Sequence, residues 1–239
     1  MKQLKQIVAL GLIGLVANVL TAAESNSKDK VTTAAKQLGD KVNYSWTTST
    51  KEADGSAGRL GPIQGKAEKG GVTGLSFSIG EVPVEVFMRG DKGAAKALEG
   101  WQTFDEVAQA GGTAAAVVRF LRSYKAPVAD SSSLLGKVKE LKEVDGAFAG
   151  ELKDDAVKEL LLFGTRQREG QEPPKTTDAK GSVKFWIKDG ALSKIEIKVQ
   201  GKVTAGERDS EINRTTTVEI KDVGATKLEV PDEAKQKLT

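Results

Sequence analysis

The final third of the chain alternates between apolar and charged positions with a period of two. Val183, Phe185 and Ile187 are interleaved with Lys184, Trp186 and Lys188, and Asp189-Gly190 then supplies the two residues of a tight hairpin turn. The returning segment sets Ile195, Ile197 and Val199 against Lys194, Glu196, Lys198 and Gln200, and a third segment carries Thr216, Val218 and Ile220. Strands with one greasy and one charged face predict an antiparallel sheet solvated on one side. The greasy face then has to be covered by helices.

The same period marks Val42, Tyr44 and Trp46, then Leu75, Phe77 and Ile79, then Val84, Val86 and Met88, with Phe87 out of phase on the nominally polar face. Elsewhere the period is helical. Lys28 to Gly39 groups Val31, Ala34, Ala35 and Leu38, with Gly39 as a stop. Trp101 to Ala110 groups Phe104, Val107 and Ala108. Thr113 to Lys125 groups Val117, Phe120, Leu121 and Tyr124, and Pro127 blocks its extension. Ser131 to Lys142 groups Leu134, Leu135, Val138 and Leu141. Val144 to Leu152 reads as a strand, and Asp154 as the cap of a helix with Val157, Leu160, Leu161 and Phe163. Polar stretches rich in turn residues, Lys51 to Gly61, Arg166 to Gly181 and Ala205 to Asn213, read as loops.

The N-terminus has a different logic. Lys2 and Lys5 precede an apolar run from Ile7 to Leu20, and Thr21-Ala22-Ala23 offers the small residues of a cleavage site. This predicts a signal peptide over 1–23, a single domain over 24–239, and a periplasmic or secreted protein. The apolar run falls short of the roughly 20 residues a spanning helix needs, so no stable membrane span is expected after cleavage. Glu24 stands where a lipidated cysteine would follow the small residues, and the chain has no cysteine at all. Neither a thioether-linked lipid nor a disulfide is therefore available to the mature protein.

Histidine is also absent. Without His or Cys, most acid–base chemistry near neutral pH and most transition-metal sites are excluded, and no metal or cofactor is expected. The formal net charge is +3, with Lys and Glu alternating along strands and helices rather than forming a basic stripe. Nucleic acid is accordingly not expected as a partner. Gly74-Leu75-Ser76-Phe77-Ser78 lacks the second glycine of a nucleophile elbow, and nothing could activate Ser76. Gly61 to Ala67 is one residue short of a phosphate loop and ends without its hydroxyl. Glu151, Asp154 and Asp155 form the densest acidic group, but acids at a helix start are explained by the helix dipole. The chain reads as a non-enzyme with no catalytic residues.

The order helix, strands, run of helices and closing meander has a counterpart. With Lys184-Phe185-Trp186-Ile187-Lys188-Asp189-Gly190, Thr217 to Val223 and Val230-Pro231-Asp232-Glu233-Ala234, the chain resembles the LolA-like superfamily of periplasmic lipoprotein carriers and the related mycobacterial lipid-binding lipoproteins (the LppX-LprG-like group). The resemblance covers residues 28–239 in layout and 183–234 in text. It implies an α+β fold: a curved antiparallel sheet, an incomplete β-barrel, with helices covering the concave face. It also implies binding of a lipid or lipoprotein acyl chain between sheet and helices. The middle helices, rich in Ala and Lys, leave the size of any cavity open.

The candidate ligand-binding face is apolar: Tyr44, Trp46, Leu75, Phe77, Phe185, Ile187, Ile195, Ile197, Val218 and Ile220 from strands, with Leu121 and Tyr124 from a helix. These residues either line a cleft or simply fill the core. In the second case the chain would be an envelope interaction or scaffold module that binds a protein partner through its exposed sheet face near Trp186. Trp186 itself is expected to lie under lysine stems.

Overall fold

Strand signals in the sequence become one eleven-stranded antiparallel sheet in the computed structural model, which describes residues 14–56, 60–97, 100–162 and 172–239. The strands are β1 (Asn43–Glu52), β2 (Ile63–Glu68), β3 (Val72–Ile79), β4 (Val82–Arg89), β5 (Lys92–Ala97), β6 (Gly100–Thr103), β7 (Lys142–Val144), β8 (Ala147–Glu151), β9 (Lys175–Lys188), β10 (Ala191–Ala205) and β11 (Arg208–Lys221). Their spatial order is β6-β5-β4-β3-β2-β1-β11-β10-β9-β8-β7. The first six strands form one meander and the last five another, joined where β1 pairs with β11 (Trp46 opposite Ile220). Edge strands β6 and β7 do not pair with each other, so the barrel is incomplete. Laid flat, eleven strands would span roughly 50 Å. Instead the inner side chains from Ala95 of β5 round to Phe148 of β8 join a single core, which requires a curved sheet.

The helices are α1 (Gly14–Gly39), α2 (Phe104–Gln109), α3 (Gly112–Ser123), α4 (Pro127–Lys137), α5 (Asp154–Leu162) and α6 (Asp232–Lys237). The first five lie on the concave side. Val31, Ala34, Ala35 and Leu38 of α1 are all buried, as their spacing predicts. Between Gly14 and Ala23 the expected signal segment lies within α1; residues 1–13, Phe163 and the stretch 163–171 are outside the described residues.

Several boundaries differ from the sequence reading, each for a physical reason. Trp101 belongs to β6, and α2 starts after a capping box: the Thr103 hydroxyl accepts from the Glu106 N–H (3.2 Å), and the Glu106 carboxylate accepts from the Thr103 N–H (2.6 Å). Pro127 opens α4 as its first residue, where a missing N–H costs nothing. That helix ends at Lys137 because Val138 bridges to Leu152. Asp154 is not a cap but the first residue of α5, and its carboxylate pairs with Lys139 at 2.8 Å. The strand expected over 144–152 is β8, and it starts later, at Ala147, because Asp145-Gly146, both at positive φ, turn the chain back from β7. Three expected loops are partly strand. β1 runs on to Glu52, β9 begins at Lys175, and β10 pairs with β11 as far as Ala205 opposite Arg208. Strands β2 and β5 have no counterpart in the sequence reading.

Phe87 resolves the irregular phase of β4. It points to the convex side and joins Ala94, Trp101, Ala234 and Leu238 in a second, smaller core beneath α6. The Phe87 and Trp101 ring centroids are 5.2 Å apart. β4 and β5 are thus buried on both faces, and alternation fails where both sides are apolar.

Candidate functional site

All twelve residues of the candidate apolar face lie in the concave core or pack against it. Phe185 and Ile195 are fully buried, Trp46 is 1% exposed, and Ile187, Ile197, Ile220 and Tyr124 are half-buried. The face is not uniform. Over β9 and β10 it is closed directly by helices. A Cβ placed on Gly181 would come within 2.9 Å of Val157, and one on Gly201 within 2.8 Å of Leu161, so α5 rests on the strand backbone itself. α1 covers the neighbouring part with Val31, Ala35 and Leu38. Such packing leaves little room for a ligand.

At the other end of the helical layer the contact is made by long side chains. The Phe120 ring of α3 meets Phe77 of β3 edge-on at 6.0 Å, and Phe120 meets Tyr124 at 5.8 Å. Tyr124 accepts a 2.8 Å hydrogen bond from the Trp46 indole. Val84 and Met88 of β4, with Val107 of α2 and Val117 of α3, remain half-buried around this layer. Between α2–α3 and the β2–β3 and β4–β5 turns lies a cleft of about 500 Å³. Met88, Phe104, Leu121, Tyr124 and Ala126 give it apolar walls, while Thr73, Asp91, Asp105 and Arg122 give it a polar side. Arg122 and Asp105 pair at 2.5 Å.

Of the twelve candidates, Leu121 and Tyr124 line this cleft, and Ile187 lines a different one. That second cleft, of about 560 Å³, lies between α1 and the β7–β8 hairpin. Lys30 spans it, pairing with Glu143 at 3.2 Å and standing 5.6 Å over the Phe148 ring. Neither cleft is lined by the other nine candidates. Met88 and Phe104 went unselected in the sequence, although both occur in its periodic segments.

Burial sets the electrostatics beside the first cleft. It pushes the Tyr44 hydroxyl up to about 12, with Tyr124 adding to the effect. The Tyr124 hydroxyl is raised by burial too, against hydrogen bonds to Trp46 and Thr48. Asp130, in the first turns of α4, is raised by burial to about 6, against the pull of Lys125 and Lys137. Both tyrosines are neutral at physiological pH and present hydrogen-bonding groups rather than charges.

The motifs set aside in the sequence have structural places. Ser76 is exposed on β3, and Gly61 to Ala67 runs into β2. The lysine pair holds the Asp154 carboxyl below the usual carboxylate range. Among the described residues no group of His, Cys, Asp and Glu could hold a metal ion. No helix among them is long and apolar enough to cross a membrane. Trp186 is half-buried, with the Lys194 ammonium 4.6 Å above its ring, so lysine cover does form, from the neighbouring strand.

No family model matches the sequence, and no curated protein matches it. Among solved structures, the chain is similar to the Mycobacterium tuberculosis lipoprotein LppX, with 11% identity over 87% of this chain and 100% of that one, at a TM-score of 0.47. It is also similar to LprF from Mycobacterium bovis, with 8% identity over 88% and 98%, at 0.43. A LolA superfamily protein from Nitrosomonas europaea aligns with 9% identity over 87% and 95%, at 0.33.

Proposed function

We propose that the chain is an exported, non-enzymatic binding protein of the periplasm or cell exterior that holds a lipid, acyl chain or other apolar ligand between its curved sheet and its helices. The ligand sits in the cleft beneath α2 and α3, not over β9 and β10 where α5 closes the sheet.

The carrying observation is the change in helix support along the concave face. α5 touches strand backbone, whereas α3 meets the sheet through the Phe120 and Tyr124 side chains, with a cleft of about 500 Å³ beside Tyr124. That volume falls within the ~300–1,000 Å³ of small-molecule sites. Each methylene buried there contributes about 0.8 kcal/mol, so several carbons suffice for retention without any catalytic group. The absence of histidine and cysteine from the whole sequence fits binding better than turnover.

Native mass spectrometry of protein isolated from a bacterial envelope tests the reading. Added lipid mass is expected on the unaltered chain and is reduced in Leu121→Trp, which fills the cleft. Protein that is always free of lipid, or a Leu121→Trp variant that carries as much as the parent, refutes it.

A further inference from the structure

The convex face of β9 and β10 concentrates charge that is evenly mixed in the sequence. Register puts Lys194 beside Trp186, Glu196 beside Lys184, Lys198 beside Ser182 and Gln200 beside Lys180, all on the side opposite the core pair Phe185–Ile195. Beyond the bulge, Lys202 pairs with Thr177 and Thr204 with Lys175. Every lysine of the two strands therefore projects outward: Lys175, Lys180, Lys184, Lys188, Lys194, Lys198 and Lys202. Against these seven the strands carry two carboxylates, Glu196 and the bulge residue Asp178.

Six of the seven lysines are exposed; Lys194, folded over Trp186, is half-buried. Lys198 pairs with Glu196 at 3.6 Å and Lys175 with Glu172 at 3.3 Å. Among the described residues no carboxylate forms an ion pair with Lys180, Lys184, Lys188 or Lys202. On one side β11 sets Glu219 opposite Lys194 and Glu211 opposite Lys202, and on the other β8 sets the single carboxylate Glu151 opposite Ser182, so the surplus lies along β9.

We infer that this convex face docks on an anionic lipid bilayer, with the β9 lysines contacting headgroup phosphates. The surface is long, and its cations are spaced singly along a strand, which suits a planar array of charges. Lysine is a compact point charge that needs no bidentate fit. The features of a protein interface are missing: the face has no exposed arginine or aromatic anchor, and Trp186 is occupied by Lys194. The large exposed apolar residues, Val42, Val82, Val144 and Val223, belong to other segments. The inference stands apart from the cleft, since Lys180, Lys184 and Lys188 do not line it.

Co-sedimentation of the full chain with vesicles tests it. Binding is expected to vesicles of phosphatidylcholine mixed with phosphatidylglycerol, to be absent with phosphatidylcholine alone, and to fade as salt rises. At about fivefold per lysine, replacing Lys180, Lys184 and Lys188 by Gln lowers vesicle partitioning roughly a hundredfold. An unchanged circular dichroism spectrum confirms that this triple variant folds. The triple variant should keep the parent's bound-lipid mass in native mass spectrometry, which separates this surface from the cleft. Equal binding to both vesicle types, or an unaffected triple variant, overturns the inference. So does binding to an acidic polypeptide or single-stranded DNA with none to anionic vesicles.

Discussion

The Trp46 indole N–H donates to the Tyr124 hydroxyl across 2.8 Å, tying the first strand of the sheet to the residue that ends α3. This contact spans the layer between sheet and helices beside the cleft that Tyr124 lines. In Tyr124→Phe a buried N–H loses its acceptor, at a cost of about 1–3 kcal/mol. Urea unfolding should show a lower midpoint for the variant, with red-shifted tryptophan emission. An unchanged midpoint would mean that the bond contributes nothing net.

Gly65 faces Trp46 across the β1–β2 pair, and a Cβ there would lie 2.0 Å from the indole. Gly65→Ala must displace the ring and is expected to destabilise by about 1–3 kcal/mol, as overpacking does. Gly136 in α4 provides the opposite case, because a Cβ there meets nothing within 4 Å. Gly136→Ala should stabilise by roughly 0.5–1 kcal/mol through helix propensity. Thermal unfolding of the two variants should move in opposite directions.

The raised Asp130 makes stability depend on pH in a defined sense. Its folded pKa lies above the ordinary 3.8, so the folded state holds the proton more tightly. The resulting stabilisation is complete below pH 3.8 and is lost as pH rises through about 6. Asp130→Asn should remove this slope and gain roughly 2 kcal/mol at pH 8 relative to the parent. Denaturant midpoints measured across this pH window decide it; parallel curves for both proteins would contradict the assignment.

Deleting residues 232–239 should uncover Phe87, Ala94 and Trp101 on the convex side, since Ala234 and Leu238 complete that core. The truncated chain is expected to bind a hydrophobic dye and to melt at a lower temperature. The concave core, to which α6 contributes no buried side chain, should still fold. A truncation without dye binding would mean that the outer cluster is covered in some other way.

Much of the architecture was legible in local patterns. The β9–β11 meander, the Asp189-Gly190 turn and the buried stripe of α1 all follow from neighbouring residues in the chain. β2 and β5 were hidden because their inward positions include Gly65 and Gly93 where bulky residues would have signalled a strand. The reason lies across space: the Trp46 ring occupies the site above Gly65, and Phe104 occupies that above Gly93. Likewise Val203 and Ala179 pack inward from stretches that read as, or border, polar loops. The twelve candidate residues all lie in or against the concave core, but their alternation carries no information on where helices press close and where they stand away.

What the sequence by itself determined is which side of each long strand is apolar, because that depends only on a period of two along the backbone. The three-dimensional fold alone decided the rest: the burial of Phe87 on the convex side, the cleft beside Tyr124, and the gathering of seven lysines on one convex surface. Each of these depends on register and packing between segments far apart in the chain, which no local pattern encodes.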